Sequence, residues 1–344
     1  MKMNIKDKSQ IELFKTKIIN SQKVVIVPHN NPDGDALGSS LGLYNTLKNM
    51  GKEASVITPN EFPDFLNWMH GVEDVIIYDK NVKKAKKLIS DSQLVLFVDF
   101  NALSRIKLMG EVFENDETPR IMIDHHPFPE ANTAQVQISV PEASSTCELL
   151  FHVLNEAGFK EYITKEAAEC IYAGIMTDTG SLNYNSNRPE TYLIVADLLR
   201  MGIDKEHIHH MIFHNNSFDR MRLLGHALGE KMERIPEQKA AFISLSQDEL
   251  KRFNFKPGDT EGFVNQALWI EGVNLSAMFT EKKDLVKISF RSRAGFPANK
   301  FSETYFNGGG HFNAAGGESK LNLDETVTRF KMVLKEFCDD NGFN

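Results

Sequence analysis

Short apolar runs of strand length alternate with helix-like stretches through the first two hundred residues or so, and three of those runs stop on acidic or imidazole side chains. KVVIVPH (23–29), rich in Val and Ile, ends on His29, and NNPDGD (30–35) then turns the chain with Pro, Asp and Gly. ALGSSLGLYNTLKNMG (36–51) reads as a helix closed by Gly51, and EASVITP (53–59) as a further strand. DSQLVLFVDF (91–100) ends at Asp99, and PRIMIDHH (119–126) brings Asp124, His125 and His126. Helices are predicted over 144–158, 164–176 and 190–202, the middle one running into a Thr-Asp-Thr-Gly turn that carries Asp178. Such alternation predicts an α/β fold with a doubly wound, mainly parallel sheet.

The texture changes from about residue 240. Strands are predicted at 239–246, 273–282 and 285–293, the last two as a hairpin through Lys282, Lys283 and Asp284, with helices near 260–271 and 324–338. This is a second, smaller α/β domain. The expected division is 1–205 for a metal-binding catalytic domain, 206–235 for a helical linker and 236–344 for a substrate-binding domain, and 344 residues suit two domains.

The net charge is −8, which excludes a general coat protein for duplex nucleic acid, since that needs a basic footprint. It leaves room for a small anion held by local cations. Three cysteines, Cys147, Cys170 and Cys338, are widely spaced without a CxxC, which speaks against a disulfide framework or a zinc knuckle. The start, MKMNIKDKSQIELF, has no apolar leader core, and no run approaches the ~20 apolar residues of a membrane span. A cytoplasmic protein without membrane contact is expected.

Ligands of open parallel sheets bind beyond the carboxyl ends of the strands. His29, Asp33, Asp35, Asp99, Asp124, His125, His126 and Asp178 would converge there. Five aspartates in one crevice repel unless something cancels their charge. Two divalent cations would offset four of the five, and mixed carboxylate and imidazole donors suit Mn2+, with Mg2+, Co2+, Fe2+ or Zn2+ compatible. A pair of ions roughly 3.5–4 Å apart could activate a water and clamp a phosphoryl oxygen. Gly34 between Asp33 and Asp35 lets the backbone send the two carboxylates to different ions, and Asp99, with two oxygens, could bridge. NPDGD, Asp99, DHH or TDTG alone reads as a turn or cap; the joint pattern points to a site.

Gly308, Gly309 and Gly310 would expose amides as an anion nest ahead of a helix start, with His311 as a further donor, or else form a hairpin end. Arg291 and Arg293 share a strand face, and one of the two suits an anion contact. Arg105, six residues after Asp99, is a weaker candidate. His207, His209, His210 and His214 lack acidic partners at fitting spacing and read as helix surface or packing.

HNNPDGD, VDFN, DHH and TDTG, followed by GGGH, resemble the DHH phosphoesterase superfamily carrying a C-terminal DHHA1 domain, within it the compact bifunctional oligoribonuclease and pAp phosphatase group. The resemblance covers about residues 10–340. It implies His29, Asp33 and Asp99 on one metal and Asp35, Asp99, His125 and Asp178 on the other. It implies a catalytic set of Asp99, Asp124 and His126, with Asp124 orienting the histidines and His126 touching the scissile phosphate. Arg105, Asn265, Arg291, Gly308, Gly309, Gly310 and His311 would contact substrate. The implied activity is two-metal hydrolysis of short single-stranded RNA or of nucleoside 3′,5′-bisphosphate to mononucleotides. A phosphodiesterase for linear or cyclic dinucleotides, and a catalytically silent nucleotide-binding module, are the alternatives. A family II inorganic pyrophosphatase would use a Lys- and Arg-rich phosphate site in place of GGGH, and a RecJ-type exonuclease would carry extra nucleic-acid-binding domains. Duplex nucleic acid is not an expected partner, and a homodimer stays open.

Overall fold

The computed structural model describes residues 8–114 and 116–343. Part of the leader segment discussed above, residues 1–7, lies outside them. The chain forms two compact units that divide after Asn215.

The first unit is built on six parallel strands: β1 Lys23–Val27, β2 Glu53–Thr58, β3 Ile76–Ile77, β4 Leu94–Val98, β5 Arg120–Asp124 and β6 Val136–Ser139. Their order in the sheet is β3-β2-β1-β4-β5-β6. Among the described residues, seven α-helices accompany them: α1 Lys8–Asn20, α2 Gly34–Asn49, α3 Val82–Ser90, α4 Thr146–Glu156, α5 Lys165–Asp178, α6 Pro189–Arg200 and α7 Lys205–His209. Alternate strand residues feed two cores. Val24, Ile26, Leu94, Leu96 and Ile123 pack with α1, α2, α4 and α5; Val25, Val27, Val95, Phe97 and Met122 pack with α3 and the 3-10 segment Leu103–Phe113. With both faces covered, the central strands are apolar from Val24 to Val27 and from Leu94 to Val98, which is why they read as unbroken runs. Helix α2 lies close against α5: a Cβ on Gly38 would stand 2.6 Å from the Cys170 carbonyl oxygen.

The second unit has α8 Phe218–Gly229, β7 Met232–Ile235, β8 Ala240–Leu245, α9 Gln247–Arg252, α10 Phe263–Gln266, β9 Leu275–Glu281, β10 Val286–Ser292, α11 Ala298–Tyr305, β11 Gly309–His311, β12 Ala314–Ser319 and α12 Leu323–Asn341. The sheet order is β11-β12-β10-β9-β8-β7, parallel only between β8 and β9. Phe242, Phe279, Phe290, Phe301, Phe306 and Phe330 fill the core beneath α11 and α12. Residues 232–235, expected within a helical linker, form edge strand β7; its exposed, polar-rich sequence MERI carries no apolar alternation. The helix expected over 260–271 is the single turn α10 and a 3-10 turn, Ala267–Trp269.

Glu249 closes a capping box on α9. Its carboxylate accepts from the Ser246 amide at 2.8 Å, from Lys231 at 3.1 Å and from His226 at 3.1 Å. Burial works to raise its pKa, but the Ser246 amide, Lys231 and His226 together hold it at about 2. A depressed folded pKa contributes stability above the ordinary value of 4.5 that is lost as pH falls toward about 2. Glu249→Gln should therefore cost about 1–2 kcal/mol at pH 7, and the gap from wild type in urea midpoint should shrink at pH 3. A gap that stays constant between the two pH values would show that the charge contributes nothing.

Candidate metal centre

The strand order reverses direction between β1 and β4, and the crevice above such a reversal is where doubly wound sheets take ligands. The loop after β1 carries His29 and the helix-capping Asp33, and Asp35 is the second residue of α2; the residue after β4 is Asp99. Strand β5 ends on Asp124, and His125 and His126 follow. Asp178 is the last residue of α5, one step inside the helix and not in the turn expected for it.

Asp99 sits at the middle. It adopts φ 65°, a left-handed conformation unusual for a residue with a side chain. Its Oδ2 stands 3.4 Å from His29 Nε2, and its Oδ1 stands 3.7 Å from His125 Nε2 and 3.7 Å from His126 Nδ1. His29 Nε2 is 3.8 Å from Asp33 Oδ2. His125 Nε2 is 3.9 Å from Asp35 and 3.7 Å from Asp178. Asp33 caps α2, accepting from the amides of Asp35 and Ala36 at 3.0 Å through Oδ1. The other imidazole nitrogens are held from behind, His29 Nδ1 by the Asn30 carbonyl oxygen at 2.9 Å and His125 Nδ1 by that of Ala143 at 3.3 Å. These bonds point Nε2 inward. Asp124 Oδ1 lies 2.7 Å from His126 Nδ1, and Asp124 itself is fully buried. Arg105 is exposed beside the site: its carbonyl oxygen accepts from the Asn30 amide at 2.9 Å, and its charge opposes the shift of His29.

The electrostatics follow from burying these charges together. Burial would lower the His29 pKa, but its bond to Asp99 and the charges of Asp33 and Asp99 raise it to about 9. His125 is likewise raised to about 9, by Asp178, Asp99, Asp35 and Asp124 acting against burial. Asp35 is raised well above the carboxylate range by burial, Asp99 and Asp178. Asp178 rises to about 6 for burial and for Asp33 and Asp99, against His125. Burial would also raise Asp99, yet the three histidines hold it well below that range.

These residues fit divalent ions. The inward separations of 3.4–3.9 Å are mostly too long for hydrogen bonds. They approach the roughly 3.0–3.5 Å that separates two donors sharing an ion at about 2.1 Å. Donor atoms of His29, Asp33 and Asp99 lie within 4.8 Å of one another, and so do those of Asp35, Asp99 and His125. Asp124 Oδ2 is buried without a hydrogen-bond partner among the described residues, a further sign of uncompensated negative charge.

Three contributors were not legible as site residues. Thr146, at the start of α4, donates its amide to Asp35 Oδ2 at 2.6 Å and its hydroxyl to Asp99 Oδ1 at 2.8 Å. Asn101 ties the loop after His126 to the Asp99 turn, through Pro127, Glu130 and Thr133. Gly174 leaves room for the ligand row: a Cβ there would collide with Cys147 Sγ and stand 3.0 Å from Asp35 Oδ1. Gly174→Ala should cost about 1–3 kcal/mol by overpacking and displace Asp35. A thermal midpoint and activity both equal to wild type would contradict this.

In the second unit, the register aligns His311, Ala314, Arg291 and Ser276 in one row across the sheet. Directly opposed residues share a face, so His311 and Arg291 stand two strands apart, about 10 Å, across a small alanine. Ser276 donates to the Val264 carbonyl oxygen, so α10, carrying half-buried Asn265, covers this same face. Arg293 falls outside the strand and donates to the Val273 and Ile270 carbonyl oxygens, a packing role. No helix start follows Gly308–Gly310; they lead into the edge hairpin β11–β12. Gly308 is required there because a Cβ would meet the Gly316 carbonyl oxygen, and Gly310 because of its φ of 139°. Of the histidines near 210, His209 contacts the Tyr172 hydroxyl at 2.9 Å and His207 sits edge-on to Trp68, while His210 and His214 are exposed.

Residues 23–175 match the DHH family, N-terminal domain, and residues 238–339 match the DHHA1 domain. A Thermus thermophilus protein named bifunctional oligoribonuclease and PAP phosphatase NrnA is 28% identical over 93% of this chain and 91% of its own length. The Bacillus subtilis protein of the same name is 25% identical over 95% of this chain and all of its own. The crystal structure of an exopolyphosphatase-related protein from Bacteroides fragilis superposes with a TM-score of 0.92 at 43% identity, covering 96% of this chain and 97% of that one. The chain thus belongs to the DHH family of phosphoesterases, with a DHHA1 domain following the DHH domain.

Proposed function

We propose that this phosphoesterase hydrolyses short single-stranded oligoribonucleotides and nucleoside 3′,5′-bisphosphates such as pAp, using two divalent cations, Mn2+ first among them. The observation that carries the proposal is Asp99, within reach of both imidazole–carboxylate groupings, His29 with Asp33 and His125 with Asp35. The names of the Thermus and Bacillus relatives supply the substrate class.

In this reading His29, Asp33 and Asp99 would hold one cation, and Asp35, Asp99, His125 and Asp178 would hold the other. The cations supply Lewis acidity and an activated water when bound. The chain supplies orientation. The Asn30 and Ala143 carbonyl oxygens fix which nitrogen of His29 and of His125 faces inward. Asp124 fixes His126 in the same way: a carboxylate accepts, so the shared proton sits on His126 Nδ1. In its imidazolium form, with a second proton on Nε2, His126 would be placed to stabilise charge on the phosphate or to give that proton to the leaving oxygen. Arg105 supplies a cation beside His29. Arg291, Gly308, Gly309, Gly310, His311 and Asn265 are proposed as substrate contacts of the DHHA1 domain.

The test is Mn2+-dependent turnover of pAp, pApA, a five-nucleotide RNA, cyclic di-AMP and pyrophosphate side by side. The proposal expects pAp and the RNA to lead. Preferred turnover of cyclic di-AMP would move the assignment to dinucleotide signals, and no turnover of any phosphoester with any divalent ion would favour a silent nucleotide-binding module.

A further inference from the structure

We infer that Thr146 is a positioning residue that holds the carboxylates of both cation groupings in register, so that the start of α4 is part of the metal-binding machinery. The inference rests on the metal reading above and concerns residues outside its ligand set. Thr146 is fully buried and is the first residue of α4. The early amides of a helix have no partner within it and need one elsewhere. Here they find carboxylates: the Thr146 amide reaches Asp35 Oδ2 at 2.6 Å and the Cys147 amide reaches Asp35 Oδ1 at 2.9 Å. The next amide, that of Glu148, goes to the capping Ser145 hydroxyl at 3.0 Å. Asp35 is gripped by both oxygens, at the positive end of the helix dipole.

The Thr146 hydroxyl then reaches across to Asp99 Oδ1 at 2.8 Å. One residue thereby bonds Asp35, from one grouping, and Asp99, shared by both. A hydroxyl that donates to Oδ1 fixes the rotation of the Asp99 carboxyl, and so the direction of the lone pairs left for cations. Glu148 braces this segment: its Oε2 accepts from the Ser144 amide at 3.0 Å and from Thr191 at 2.8 Å. The backbone half of the grip is independent of side-chain identity. The hydroxyl half is not, so it can be removed alone.

The experiment compares Thr146→Val, which keeps shape and both amides, with Thr146→Ser, which keeps the hydroxyl, and with Thr146→Ala. Mn2+ binding is measured by titration calorimetry, and the thermal midpoint is measured without metal. Removing a group that orients a ligand costs about 10- to 100-fold in metal affinity. Val and Ala are expected to show that loss, while Ser stays within about threefold of wild type and metal-free midpoints differ little. If Val does not fold, the Ala and Ser pair decides. Wild-type affinity in Val or Ala, or equal weakening in Ser, overturns the inference. A wild-type chain that takes up no divalent ion would instead overturn the metal reading beneath it.

Discussion

Asp99→Asn is expected to lower phosphoester turnover about a thousandfold or more while leaving the fold intact. Asparagine is the right replacement because Asp99 has φ 65°, a conformation Asn tolerates and Ala does not. The amide can still accept from Thr146, so the local hydrogen bond survives. What disappears is the charge and one of the two carboxylate oxygens proposed to be shared between the groupings. Losing several kcal/mol of electrostatic stabilisation at ~1.4 kcal/mol per factor of ten gives the stated magnitude. The measurement is kcat/KM on pAp and a short RNA at saturating Mn2+, with circular dichroism as the control for folding. A well-folded variant within tenfold of wild type would remove Asp99 from the centre of the site.

The strands that carry the centre were legible because both faces of the first sheet are covered. Val24 to Val27 and Leu94 to Val98 are buried residue after residue, so nothing polar interrupts the run until the strand ends. The first polar interruption is then a candidate site residue, and Asp99 is the clearest case. The second sheet is different. Strands β11 and β12 read GGH and AAGGES, without large apolar groups, and Gly308 and Gly317 let hairpin and helix α11 approach closely. A stretch chosen for closeness of backbone carries no alternation, and it resembled an anion nest. Helix α3 was missed because its buried face is only Ala85 and Ile89 among lysines. Thr146 illustrates a separate limit. Ser145 and Glu148 mark a helix start, with the Ser145 hydroxyl accepting from the Glu148 amide. That the start would face Asp35, more than a hundred residues earlier, depends on chain topology alone.

Loading with Mn2+ should raise the thermal midpoint by roughly 15 °C or more, and EDTA should reverse it. Two ions, each at about a thousand times its Kd, add about 4 kcal/mol apiece by mass action, and each kcal/mol is worth about 2–4 °C in a domain of this size. The size of the effect should depend on pH. Without metal, protons do part of the compensating: His29 and His125 have pKa values raised to about 9, against an ordinary value of 6.5. A group raised on folding contributes stability below 6.5 that is lost as pH climbs through about 9, so the metal-free chain should weaken over that window. The loaded chain moves the other way. Cations need the imidazoles neutral and must expel those protons, so binding tightens as pH rises. The gap between loaded and stripped midpoints should therefore widen from pH 6.5 to pH 9, and calorimetry near pH 7.5 in buffers of different ionisation enthalpy should register proton release on Mn2+ uptake. Midpoints that ignore millimolar Mn2+ at pH 8 would mean that the buried aspartates are balanced by something other than cations.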